Sequence, residues 1–391
     1  VKNRDGSFSL ADFEANPHTV TPALDSIRTH THLSANHTSP SWLPQASDRP
    51  PALELLPCKS MTLHIPSGTV LEPTPLLFNT NALEFDYDAN APTPTRWLGF
   101  LDELLGADAE SKQLLQEWAG YCLTGDTSLQ KMLLIVGPRR SGKGTIGRVL
   151  TELVGAGNVA GPTTGSLAGT FGLQTLIGKS LAIVSDARFS GENVATVVER
   201  LLCIVGEDSL SIDRKYLGAV TMKLSTRFTF LTNELPRLAD SSNALTGRFL
   251  VLRLQRSFYG KEDTGLTRAL ISELPGILRW ALEGWKRLQA TRRFTQPASS
   301  AAAIEELEDL GSPVGAFIRE RCVLGAGHRV WVDDLYAAWR QWCETEGRSQ
   351  ISNKQAFGRD LQAAEASVVR RRGSGQIGFY EGIGLRGVDT M

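Results

Sequence analysis

Residues 132–145 read MLLIVGPRRSGKGT. The apolar run Met132–Val136 marks a strand buried on both faces, and a glycine-rich loop follows it at once. Ile146, Val149, Leu150, Leu153 and Val154 then recur at helical spacing. In such a strand–loop–helix unit the glycines let backbone N–H groups converge on a phosphate, and the helix N-terminus adds its positive dipole. The pattern is G-x-x-x-x-G-K-[ST] with one departure: Gly144 stands where Ser or Thr belongs, and Thr145 comes one place late. The candidate nucleotide-binding residues are Gly137, Pro138, Arg139, Arg140, Ser141, Gly142, Lys143, Gly144 and Thr145. Lys143 would reach the β- and γ-phosphates of ATP, and Thr145 is the hydroxyl left for the phosphates or Mg²⁺.

Working outward, SLAIVSDA (180–187) and FTFLTN (228–233) are further buried-strand patterns, and Arg248 precedes another in RFLVLRL. Val194, Val197, Val198, Leu201, Leu202 and Val205 form a strongly periodic helix between them. Buried strands alternating with helices predict an α/β domain with a mostly parallel sheet. Asp186 ends one strand, where a carboxylate can hold Mg²⁺ or orient the attacking water; which of the two stays open, and Ala187 and Arg188 replace the usual second acid. Asn233 ends another strand, where its amide either holds water against a γ-phosphate or caps the turn before Pro236. Arg248 is either an arginine finger that reaches a neighbouring subunit's ATP or an exposed residue before a strand.

The flanks differ in composition. Residues 1–60 are rich in Pro, Ser, Thr, Asn and His and read as an irregular extension. Residues 61–128 give short strands, MTLHI and TVLEP, and then two amphipathic helices around Trp97–Leu105 and Leu114–Cys122. The ATPase core is expected over 129–290, and RRFTQPASSAAA (292–303) reads as a linker. Residues 312–391 give three helical patterns and a β-hairpin with a Gly-rich tip, a winged-helix pattern in which Arg370, Arg371 and Arg372 would lie on duplex phosphates and Lys354 and Arg359 on a recognition helix.

The five cysteines are scattered without a C-x-x-C pair, which points to a reducing compartment and away from a disulfide framework or a cysteine zinc site. His18, His30, His32 and His37 have no cysteine partners and read as a solvated loop. A net charge of −1 gives no global basic field, so any nucleic-acid surface is local. No apolar run has transmembrane length and no secretory signal opens the sequence. Because it begins at Val1 rather than Met, the sequence is expected to be a fragment, with room for a polymerising domain upstream.

Lys143, Asp186, Asn233 and Arg248, in that order, resemble the compact core of superfamily 3 helicases. The stretches LLQEWAGYCLTGDTSLQKMLLIVGPRRSGKGT, FGLQTLIGKSLAIVSDAR, RKYLGAVTMKLSTRFTFLTNELPR and ISELPGILRWALEGWKRL extend the likeness to the helicase portion of phage- and plasmid-type primase–helicases. The resemblance implies a modified AAA+ core assembled into a ring, expected to be a hexamer, with ATP and Mg²⁺ between subunits. Lys143, Thr145, Asp186 and Asn233 would serve the subunit that holds ATP, and Arg248 the next one. The family often doubles the finger arginine, whereas Gly247 precedes Arg248 here, so Arg253 stands as a substitute. SIDRKYLGAVTMK (211–223) would be the hairpin in the ring channel, with Arg214 and Lys215 on single-strand phosphates, Tyr216 stacking on a base or supporting the hairpin, and Lys223 in the return strand.

The expected function is therefore a DNA helicase acting on single-stranded and forked DNA during replication of a mobile element, in the cytoplasm of a bacterial host. A primase domain or protein is its expected partner. Two rivals remain: a replication initiator or loader that uses ATP only to assemble, and a small-molecule kinase, since GKGT also occurs in loops resembling adenylate kinase.

Overall fold

The computed structural model describes residues 5, 7, 15–33, 37–43, 48–189, 193–236, 238, 243–348, 351–373 and 378–387. The chain opens with α1 (Pro17–His30), started by a capping box in which the Asn16 side chain accepts from the backbone of His18 and Thr19. The extension is therefore not irregular throughout. Asn at the cap followed by Pro is a strong local start signal, but no residue of α1 is buried and no apolar stripe announces the helix.

Next come β1 (Ser41–Trp42), β2 (Leu55–Pro57), β3 (Thr62–His64), β4 (Thr69–Leu71) and β5 (Leu77–Phe78). β2, β3 and β4 form an antiparallel sheet, and β1 pairs with β5. Helices α2 (Thr95–Leu105) and α3 (Ala109–Cys122) follow.

The central region runs β6 (Met132–Val136), α4 (Lys143–Val154), β7 (Val159–Ala160), α5 (Thr164–Ala168), β8 (Leu181–Val184), α6 (Val194–Val205), β9 (Leu210–Arg214), β10 (Leu217–Met222), β11 (Arg227–Thr232) and β12 (Phe249–Arg253). Five of these strands make one parallel sheet in the order β12-β6-β11-β8-β7. Their largely apolar sequences follow from burial on both faces, and β11 alone of the longer strands buries polar residues within it, Arg227, Thr229 and Thr232. Leu133, Ile135, Leu181, Ile183, Leu250 and Leu252 face a core shared with α2, α3 and α4. Met132, Leu134, Ala182, Val184, Phe249 and Val251 face a second core built with α6.

Helices α7 (Leu266–Ile271) and α8 (Leu274–Thr291) close the first core. α8 lies close against α3: a Cβ on Gly120 would stand 2.3 Å from the Ala281 carbonyl oxygen, and one on Gly284 2.3 Å from that of Gln116. The Glu273 carboxylate accepts from the Arg96 and Trp97 amides at 3.1 and 3.0 Å, which ties α2 to the start of α8.

The stretch read as a linker is held down. The Thr295 and Ala298 amides donate to Glu117 and Glu110 of α3, and α9 (Ala301–Gly311) buries Ala303 and Leu307 in the second core. Its Ala/Ser-rich start hides a helix with a short apolar face, Ala303, Ile304 and Leu307.

The C-terminal region is α10 (Pro313–Arg321), β13 (Cys322–Trp331), α11 (Val332–Thr345), α12 (Lys354–Ala364), β14 (Val369–Arg372) and β15 (Gly378–Leu385), around a third core centred on Phe317, Leu335, Phe357 and Tyr380. Its sheet runs β13-β15-β14, all antiparallel. β13 breaks the apolar alternation with Gly325 (φ 149°) and Gly327 (φ 98°) at a register shift, which is why the sequence pattern does not reveal it. The Gly-rich hairpin tip, 374–377, lies outside the described residues.

Candidate nucleotide-binding site

Residues 137–142 link the end of β6 to α4, which begins at Lys143. Two residues give the loop its turn: Arg140 has φ 58° and Gly142 φ 88°. A side chain at Gly142 would be strained in this conformation, and its Cβ would also come within 2.9 Å of Leu104. A Cβ on Gly137 would stand 2.6 Å from the Leu254 carbonyl oxygen, so this position also needs glycine. The segment after β12 braces the loop from behind. Ser257 Oγ donates to the Arg139 carbonyl at 2.8 Å, the Phe258 amide donates to that of Arg140 at 2.9 Å, and Arg140 pairs with Glu262 at 3.4 Å.

The Lys143 amine is folded into the loop. It donates to the carbonyls of Gly137 and Pro138, both at 2.7 Å, to Ser141 Oγ at 3.3 Å and to Asn233 Oδ1 at 3.1 Å. Burial lowers its pKa, and the Asp186 carboxylate opposes that shift. An anion entering the loop would therefore meet an ammonium that now rests on carbonyls it can leave.

Asp186 follows β8 and adopts φ 49°, a left-handed conformation that Asp tolerates better than most residues. The Ala187 amide donates to the Leu231 carbonyl at 3.0 Å, which fixes this turn against β11. A cleft of about 490 Å³ opens here, lined by Arg139, Asp186, Arg188, Asn233, Glu234 and Pro236 among others. Lys143, Asp186 and Asn233, far apart in sequence, thus meet at the C-terminal end of the parallel sheet, where open α/β sheets bind ligands.

Thr145 is half-buried, and its hydroxyl accepts from Arg148 Nη2 at 3.2 Å; Arg148 Nε also donates to Thr267 at 3.3 Å. Gly144 is exposed, and a Cβ there would meet only Arg148 Nη1 at 3.4 Å. Among the described residues no group of three or more His, Cys, Asp or Glu side chains could hold a metal. Asp186 would offer one carboxylate to a Mg²⁺ ion, which ordinarily keeps several waters and takes one or two carboxylates plus substrate phosphates.

Arg248 lies elsewhere. It precedes β12, whose Phe249 pairs with Met132 at the start of β6, so it sits at the end of the sheet opposite the loop. There it donates to Gln130 Oε1, beside Lys131, whose amine reaches the Gly247 carbonyl at 2.6 Å. Arg253 is paired with Val136 at the loop's own end.

Of the candidate DNA-binding residues, Arg214, Lys215 and Tyr216 cluster at the tip of the β9–β10 hairpin, and Lys223 stands at its base after β10. Tyr216 has φ 64° and is 92% exposed, with the Lys215 amine 5.1 Å from its ring centroid. Arg370, Arg371 and Arg372 form the edge strand β14. Arg371 is tied to Glu381 at 3.2 Å, and Lys354 to Asp333. Arg359 is exposed on α12.

Sequence reading did not single out Arg188 or Glu234 for the cleft, or Arg148 beside Thr145. Position gave a signal for the first two, since each stands within two residues of a strand-end candidate. Arg148 shows only in three dimensions.

Residues 135–248 match the model of a family described as Family of unknown function (DUF5906), a span that runs from the loop strand to Arg248. Residues 312–369 match that of Poxvirus D5 protein-like. Among solved structures the chain is similar to the A form apo structure of the NrS-1 C-terminal region, at 13% identity over 93% of this chain and 91% of that one, with a TM-score of 0.50. A second apo structure of that region, spanning 305–718, gives 15% identity, 93% and 90% coverage and a TM-score of 0.49. This chain shares the fold of the NrS-1 C-terminal region. No helix among the described residues is long and apolar enough to cross a membrane.

Proposed function

We propose that the chain is the ATP-driven motor of a phage- or virus-type replication primase–helicase: a superfamily 3, AAA+-type DNA helicase that works as a hexameric ring. The observation that carries this reading is the hydrogen bond from Lys143 to Asn233, which lines one cleft with Asp186 beside the glycine loop. A loop alone fits many phosphate binders. A loop lysine bonded to a strand-end amide, with a strand-end carboxylate across the cleft, is the equipment of nucleotide hydrolysis. The D5-like match of residues 312–369 supports a role in replication.

In this reading Lys143 leaves the Gly137 and Pro138 carbonyls for the β- and γ-phosphates, Asn233 positions water, and Asp186 with Thr145 completes the surroundings of Mg²⁺, which supplies charge neutralisation on the phosphates when bound. Arg248, at the far end of the sheet from its own loop, serves a neighbouring subunit's ATP. The order α10-β13-α11-α12-β14-β15 supports a winged-helix reading, in which α12 would be the recognition helix and β14–β15 the wing. The β9–β10 hairpins line the channel and hold single-stranded DNA. The host cytoplasm is the proposed setting, with a primase domain or protein as partner.

ATP turnover measured with and without single-stranded DNA tests this. Turnover should rise with DNA and vanish in Lys143→Ala, and a forked duplex should be unwound only by the wild type. Basal turnover indifferent to DNA would favour an ATP-assembled initiator. Persistent monomers in electron micrographs with an ATP analogue would remove the role in trans proposed for Arg248.

A further inference from the structure

The strand that delivers Asp186 delivers no second acid. The next residue is Ala187, 4% exposed, with its methyl in the second core and its amide bonded to Leu231. Hydrolysis needs a proton acceptor for the attacking water, and a carboxylate engaged with a metal is poorly placed to be that acceptor. Asp186 lies within electrostatic reach of Lys143, the residue that the reading above places on the phosphates.

The cleft holds another carboxylate on a different strand. Glu234 is the second residue past the end of β11, next to Asn233, and lines the same cleft as Asp186 and Arg139. In the sheet β11 stands between β6 and β8, so Glu234 issues from the strand adjacent to the loop strand. Its backbone is held by the buried Thr232, whose hydroxyl donates to the Glu234 carbonyl at 2.7 Å and accepts from the Glu234 amide at 3.3 Å. The side chain is exposed to the cleft, and Asn233 beside it already touches the loop lysine at 3.1 Å.

We infer that Glu234 is the general base of the nucleotide site and takes the place of the second acid missing from β8. The inference rests on the hydrolytic reading above. A water held by Asn233 attacks the γ-phosphorus, the bond from that phosphorus to the bridging oxygen of the β-phosphate breaks, and the electron pair leaves on ADP. The water's proton passes to the Glu234 carboxylate and then to solvent, which leaves ADP and inorganic phosphate. Asp186 is thereby assigned to the metal and Glu234 to the proton.

Steady-state turnover and MgATP binding of the full chain are compared across wild type, Glu234→Gln, Glu234→Asp and Asp186→Asn. Glu234→Gln should lower kcat by about 10²–10⁴-fold, the usual contribution of a positioned general base, with KM and MgATP affinity unchanged. Glu234→Asp should recover part of kcat, and Asp186→Asn should instead raise the Mg²⁺ requirement. A Glu234→Gln kcat near wild type overturns the inference while leaving hydrolysis standing, and so does loss of MgATP binding in both Glu234 variants, which would make the residue structural. A wild type that binds MgATP without turning it over removes the hydrolytic reading itself, and this assignment with it.

Discussion

Two hairpins carry the candidate DNA contacts, and they are built on opposite plans. The β9–β10 hairpin is anchored midway along β9 by Ile212, 1% exposed in the second core, and projects Tyr216 and Leu217 at 92% and 62% exposure. Exposing a tyrosine and a leucine together costs hydrophobic free energy, and the left-handed backbone at Tyr216 adds strain. The β14–β15 hairpin spends its charge internally. Glu381 accepts from Arg329 and Arg371, and these two hydrogen bonds hold its carboxyl below the ordinary value. Only Arg370 and Arg372, on the other face of the edge strand, make no ion pair among the described residues. In the proposed reading the first hairpin would offer an aromatic ring to a base, and the second two cations to phosphates. A nucleic acid read by stacking is single-stranded, and one read by charge alone can be a duplex.

The sharpest way to break this contrast is Tyr216→Ala. If the ring stacks on a base, single-strand affinity should fall by about 1–3 kcal/mol per stacked base, and stimulation of turnover by DNA should disappear while basal turnover remains. Titration of a fluorescent oligonucleotide beside a coupled ATPase assay reads both quantities. Unchanged stimulation would leave the exposed ring without a nucleic-acid role.

Next in size is the pair Arg370→Ala with Arg372→Ala. Removing two phosphate contacts should lower the slope of log affinity against log salt on duplex DNA by about 2, with no change in single-strand stimulation. Losing both activities together would mean that the two hairpins grip one strand rather than two kinds of DNA.

The difference between the hairpins was only partly legible in the sequence. Buried strands announce themselves, because residues facing two cores are mostly apolar: MLLIV, LAIV, FTFLT and FLVLR all read as strands. Two-residue β7 leaves no such trace. Elements with little to bury also escape, as α1, α9 and the glycine-broken β13 show. In the nucleotide site, strand-end positions point to Asp186 and Asn233, because a polar residue that ends an apolar run must emerge at the edge of the sheet. Arg248 obeys a different geometry. Its sequence position says only that it begins a strand, and the parallel pairing of β12 with β6 sends it to the far end. Likewise, three consecutive arginines look equivalent until Glu381 is seen to take one of them.

Glu381→Gln tests whether that tie is inhibitory. Freeing Arg329 and Arg371 while removing one negative charge should strengthen duplex binding severalfold and steepen its salt dependence. Mild acid cannot substitute for the mutation. The carboxyl titrates below its ordinary value of 4.5, so at about pH 5.5 it is still ionised and both arginines remain held. Affinity that rises on going from neutral pH to about pH 5.5 in the wild type, but not in Glu381→Gln, would place the titration of Glu381 higher than its two partners allow.

Lys223 sets the smallest and most local test. It is exposed just past Met222, at the foot of the hairpin whose tip carries Lys215 and Tyr216. The six residues of β10 span about 20 Å at the usual rise per residue, so a strand held at the tip passes well beyond the reach of a lysine at the base. Lys223→Ala should therefore leave single-strand affinity and DNA stimulation unchanged, whereas Lys215→Ala should lower the salt slope by about 1. If the two substitutions weaken binding equally, the DNA follows the hairpin's flank down to its foot, and exposure at the tip is not what selects the contact.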